Sequence, residues 1–243
     1  MKSQSSQSGI QRSSESGNVL FLILIAVALF AALSYAVTQS TRSGGGDANR
    51  ETTLVNSSTI TQYPASIKTA IVRMIVSSGV SVDQLLFDAP SGFSNLTTPA
   101  MIAHNVFHPD GGGASYQLAP SSVMASGTAG TWRFNAANQI YNIGKDTTAD
   151  NTGNDVIAFL PGVSQSICER IHTQLGLSTT VPTETGILFA AANDMDYDLS
   201  PSIPTGAAPI IGVASAGGSI LNGQPQGCFQ QSGYNYFHVL VER

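Results

Sequence analysis

With 243 residues the chain can fill one good core or two small ones, and only 10% of it is Asp, Glu, Lys or Arg, against about 25% in an ordinary soluble domain. Ser, Thr, Asn, Gln and Gly take the place of the missing charges, giving the uncharged polar surface common in secreted proteins. A formal net charge of −5 and the lack of any Lys or Arg cluster remove nucleic acid from the expected partners, because phosphate recognition leaves a basic footprint.

Residues 1–17, MKSQSSQSGIQRSSESG, form a hydrophilic leader that ends in Gly17 and is followed at once by Asn18. Residues 19–37 then read VLFLILIAVALFAALSYAV, without a charge and with Ser34 as the one strongly polar side chain. As a helix this run spans about 28 Å, close to the roughly 30 Å hydrocarbon thickness of a bilayer. A cleaved secretory signal would be shorter and end in small residues, whereas TQSTR follows here at 38–42. A helix apolar on every face would also need a larger protein around it than this chain supplies. A membrane span is therefore expected. Lys2 and Arg12 before it are matched by Arg42 and Arg50 after it, so charge bias says little about orientation. Cys168 and Cys228, the only cysteines, are expected to form one disulfide rather than two free buried thiols. That places the polar domain in an oxidising, extracytoplasmic compartment.

A short basic leader ending in glycine ahead of an apolar helix resembles the N-terminus of type IV pilins and type II secretion pseudopilins. In that family a prepilin peptidase cuts after the glycine on the cytoplasmic face, and the new N-terminal residue is methylated. The helix serves first as membrane anchor and later as filament core. The resemblance implies cleavage between Gly17 and Asn18, and assembly with other pilin-like subunits through Val19, Phe21, Leu22, Ile25, Phe30 and Tyr35. Two positions depart from the family pattern. Its glutamate five residues after the cut corresponds to Leu22, and its usual Phe or Met at the first mature position is Asn18. Some minor subunits, thought to sit at the filament tip, also lack the glutamate. The implied protein is thus a minor or tip subunit, single-pass in the inner membrane, with a periplasmic or extracellular C-terminal domain that passes into a surface filament. The alternative is a permanently anchored, single-pass binding or adhesion module that keeps its leader.

The expected fold is α+β and pilin-like: a transmembrane helix at 18–42, an amphipathic helical region at 47–79 and a β-rich domain at 80–243. Ile67, Ala70, Ile71, Met74 and Ile75 lie on one helical stripe, and Gly79 makes a stop. Glycines 44–46 and Pro64 are expected to break the helix into two or three segments before it packs on an antiparallel sheet. Runs of alternating character between turn residues predict strands at 131–134, 139–143, 155–160, 186–191, 209–213 and 234–241. In the last, Phe237, Val239 and Val241 face one side, opposite Tyr234, Tyr236, His238 and Leu240. A helix at 163–175 carries Cys168 and ends at Gly176. A bond to Cys228 would tie it to the loop before the final strand, much as many pilins close their C-terminal region with a cystine.

Few residues suggest chemistry. His104 and His108, with Asp110 nearby, offer zinc-type ligands but lack a third histidine. Asp194, Asp196 and Asp198 alternate like the first ligands of a calcium loop, yet Leu199 and Thr205 stand where its glycine and glutamate belong; a loose calcium site competes with a solvated turn. Gly111, Gly112 and Gly113 read as a flexible loop, with no phosphate cradle. The histidines His104, His108, His172 and His238 have no local triad partners, and no nucleophile elbow is present. Trp132, Phe134, Tyr141, Tyr234, Tyr236 and Phe237 read as core aromatics. No enzymatic activity and no resident cofactor are expected.

Overall fold

The first element of the computed structural model, which describes residues 16–145, 153–196, 208–213 and 220–243, is a single helix, α1 (Ser16–Ser78). The expected breaks at glycines 44–46 and at Pro64 are not there. Glycine in a helix costs about 1 kcal/mol relative to alanine but obstructs nothing. Pro64 removes one bond, to the carbonyl of Ile60, while Ile60, Tyr63 and Ile67 around it are buried. The chain divides into two units, Met1–Glu51 and Thr52–Arg243; α1 contributes to both.

In the second unit the stripe Ile60, Tyr63, Ile67, Ile71 and Met74 of α1 is buried in one cluster with Phe134, Ala158, Leu160, Tyr236 and Leu240 of the sheet. Gly79 ends the helix at a positive φ of 67°, and the Val80 N–H turns back to the Met74 carbonyl. A short helix, α2 (Pro99–His104), follows, with Thr98 accepting from the Met101 N–H at 3.3 Å. The glycine run after it is a tight turn, not a flexible loop. The N–H groups of Gly111 and Gly113 both donate to the His108 carbonyl and that of Gly112 to Asn105. A Cβ on Gly111 or Gly112 would overlap the carbonyl oxygens of Asn105 or Val106, so the turn needs residues without side chains.

The sheet has five strands, β1 (Arg133–Ile140), β2 (Asp155–Val163), β3 (Ile210–Ile211), β4 (Gln226–Gln230) and β5 (Tyr234–Val241), in the order β3-β1-β2-β5-β4. Pairing is antiparallel except that β3 runs parallel to β1, a correction to the all-antiparallel expectation. The runs expected at 131–134 and 139–143 merge into β1 across a bulge between Asn135 and Asn138. On β5 the predicted alternation holds up to Leu240 but not at Val241, which packs with the α1 side, next to the register shift between Val156 and Ile157 of β2. Tyr236 and Leu240 join the α1 side, while Phe237 and Val239 join a second cluster with Ile140, Ile157, Phe159, Ile187, Leu221 and Phe229. The sheet is thus buried on both faces, by α1 on one and by connecting segments on the other.

One of those segments, 186–191, is not the strand its sequence predicts. Side-chain amides take up its backbone groups instead. Gln231 accepts from the Ile187 N–H at 2.9 Å and donates to its carbonyl at 2.8 Å; Asn138 does the same for Leu188 at 2.9 and 2.6 Å. The remaining helix, α3 (Gln165–Gln174), buries Ile167, Cys168 and Ile171 on the α1 side and ends before Gly176, whose φ is +71°.

Candidate functional site

Within α1, Val19–Gln39 is long and apolar enough to cross a membrane: 21 residues, mean hydropathy 2.7, and 0% buried among the described residues. Helical geometry explains why such a segment tolerates lipid, since every backbone bond closes within it. Val19, Phe21, Leu22, Ile25, Phe30 and Tyr35 are all exposed, from 41% at Ile25 to 75% at Phe30. Polar side chains at its far end find partners inside the helix. Gln39 donates to the Tyr35 hydroxyl at 2.9 Å, and the Thr38 hydroxyl donates to the Ser34 carbonyl. Gly17 and Asn18 fall in the first turn of α1, while residues 1–15 of the expected leader lie outside the described residues.

No family model, curated protein or solved structure matches the chain. Its features are therefore weighed on their own geometry.

Cys168 of α3 and Cys228 form a disulfide, with Cα atoms 5.6 Å apart. Cys228 lies within β4 and not in a loop before the last strand, as its sequence context suggested. QGCFQ carries no alternation of apolar and polar residues, so nothing in it announces a strand. One helical turn beyond Cys168, the fully buried His172 contacts the same β4 residue. That i, i+4 spacing is legible in the sequence, but its target is not.

The aspartates expected to resemble a calcium loop are arranged otherwise. Asp194 is buried and pairs with Arg133 of β1 at 3.0 Å, and Met195 donates to the Phe134 carbonyl at 2.8 Å. This stitches the segment to the sheet. Asp196 is half-buried, and Asp198 lies outside the described residues. Near the other candidate ligands, His104 ends α2, while His108 Nδ1 accepts from the Asp110 N–H at 3.1 Å with its ring 4.8 Å from that of Phe93. Among the described residues no group of three His, Cys, Asp or Glu side chains is placed to hold a metal. A cleft of about 430 Å³ opens between Arg133, Pro161, Phe189, Asn193 and Gln231, but Arg133 is neutralised by Asp194 and the Gln231 amide is taken by Ile187. Of the aromatics, Trp132, Phe134, Tyr236 and Phe237 are core, whereas Tyr141 is exposed.

Two titrating groups oppose each other. Burial raises the Asp194 carboxyl to about 6, against the pull of Arg133. Burial, with Lys68 nearby, lowers His238 to about 4; its Nδ1 lies 3.0 Å from the Tyr236 hydroxyl. A carboxyl raised on folding adds stability that is complete below its unfolded value near 4 and is lost as the pH rises through about 6. A histidine lowered on folding adds stability present above about 6.5 and lost as the pH falls toward 4. Between pH 6.5 and 4 the two effects cancel in part. In Asp194→Asn the cancellation disappears, and chemical denaturation should show stability falling on acidification more steeply than in the parent chain. Parallel pH profiles for the two proteins would refute this assignment.

Proposed function

We propose that the chain is a structural subunit, minor or tip-located, of a type IV pilus-like or type II secretion-like filament. One observation carries the reading. An apolar helical segment whose side chains are exposed among the described residues belongs to the same helix as the amphipathic stretch at 52–78, which packs on a mostly antiparallel sheet. The cystine at Cys168 and Cys228 supports it. Before assembly the segment anchors the protein in the inner membrane with the disulfide-bonded domain on the oxidising side. Afterwards Val19, Phe21, Leu22, Ile25, Phe30 and Tyr35 pack against other subunits. In the bilayer these side chains are already out of water, so close packing between helices, not transfer from water, favours their association, and the protein's action is assembly without a catalytic step. Leu22 makes this packing purely apolar, with no carboxylate to be neutralised by a neighbour.

The deciding measurement is the N-terminal mass of protein recovered from membranes of a host that carries a prepilin peptidase. The parent chain should begin at Asn18, and Gly17→Val should keep the leader. An intact leader in both would leave the permanently anchored module as the reading.

A further inference from the structure

In the cleft beside Arg133 the long polar side chains are engaged, but one stretch of main chain is not. Ile187 and Leu188 point their peptide groups to opposite sides, as in an extended strand. Ile187 exchanges both of its bonds with the Gln231 amide, and Leu188 both of its bonds with Asn138. Phe189 comes next, so its peptide groups turn back to the Gln231 side, where the cleft opens. Its N–H and C=O meet no partner among the described residues. Unpaired main-chain groups are uncommon in a packed segment, and this segment is firmly held. The Phe189 ring lies 6.0 Å from that of Phe159 and 5.8 Å from that of Phe229. Beyond it, the carbonyls of Ala190 and Ala191 accept from the N–H groups of Asn193 and Asp194.

We propose that this cleft takes an extended, uncharged peptide segment of a partner protein, one residue of which exchanges both main-chain hydrogen bonds with Phe189. Three features select that occupant. The free groups are one donor and one acceptor on the same side of a strand-like segment, the arrangement by which a peptide adds to an open strand. The Arg133 guanidinium is already paired with Asp194 at 3.0 Å, so the cleft offers no unbalanced charge to an acidic ligand. The remaining lining is uncharged, with Pro161, Leu188, Ala190 and Ala191 as apolar walls. The volume of about 430 Å³ lies within the range of ordinary ligand sites, about 300–1,000 Å³. Because Ile187 and Leu188 are fastened beforehand, binding has little of the chain left to order.

The test uses the full chain in detergent micelles with three blocked pentapeptides: acetyl-AVAVA-amide, the same peptide N-methylated at every residue, and acetyl-AEAEA-amide. In the free chain the Phe189 amide should exchange about tenfold faster than those of Ile187 and Leu188, the effect of lacking one hydrogen bond. With about 10 mM acetyl-AVAVA-amide and a dissociation constant of about 1 mM, exchange at Phe189 should slow about tenfold. The N-methylated peptide, stripped of its main-chain donors, should leave it unchanged. Ala190→Trp, which fills the cleft from an exposed position, should abolish the slowing. A Phe189 amide as protected in the free chain as its two neighbours would overturn the proposal, as would equal slowing by the N-methylated peptide or no slowing by any. So would slowing that persists in Ala190→Trp, or tighter binding of the glutamate peptide, which would make Arg133 the recognising group.

Discussion

Replacing Cys168 and Cys228 together by serine is expected to lower the unfolding free energy of the second unit by about 4 kcal/mol, since the bond closes a 60-residue separation and so removes loop entropy from the unfolded chain. Trp132 is the only tryptophan. It is buried between the rings of Tyr63 and Tyr236, at centroid distances of 5.2 and 6.2 Å, so its fluorescence reports the core directly. In urea the midpoint should fall by about 2 M, given a slope of about 2 kcal/mol per molar for a domain of this size. A fall of less than about 0.5 M would mean that α3 is held mainly by Ile167, Ile171 and His172, with the cystine adding little.

The second large effect is expected in the apolar segment. Leu29 lies at its middle and is 60% exposed, so Leu29→Arg places a guanidinium where a bilayer would have its centre. On insertion scales the exchange costs about 3–4 kcal/mol, and the protein should shift from the carbonate-resistant membrane pellet to the soluble or degraded fraction. Val76→Arg provides the control. Val76 belongs to the same helix and is 78% exposed, but it lies beyond the apolar run and should tolerate the charge with less than about 0.5 kcal/mol of change. Equal membrane retention of both variants would remove the membrane span from the reading.

What can be foreseen from residues alone follows a physical line. The apolar run, the stripe of α1, its stop at Gly79 and the helix carrying Cys168 are legible because a strong periodicity or a glycine cap encodes each of them locally. The segment at 186–191 alternates like a strand. It is none, because Asn135, Asn138 and Gln231, distant in sequence, supply the bonds that a neighbouring strand would have made. Conversely β4 reads as turn-like, with Gly227 close to its centre, and becomes a strand because β5 pairs with it and His172 closes its far side. The parallel placement of β3 depends on the bonds from the Gln139 and Tyr141 N–H groups to the carbonyls of Pro209 and Ile211, for which its two residues hold no signal. The continuity of α1 through Pro64 likewise reflects burial on either side outweighing a local penalty. Of the candidate site, the exposed apolar side chains are readable one by one, whereas the pairing of Asp194 with Arg133 is not, since 61 residues separate them.

The central pairing of the sheet also sets a timetable. Strand β2 is flanked by β1, close behind it in the chain, and by β5, whose Val241 lies opposite Val156. A ribosome working from N- to C-terminus therefore releases α1, β1 and β2 long before the partner that closes the sheet exists. During that interval the apolar run Val156, Ile157, Ala158, Phe159 and Leu160, fully buried in the finished protein, has one edge open and is prone to aggregate. The sheet therefore cannot close until β5 is available beside β2, so the folding of the whole second unit waits on its last strand.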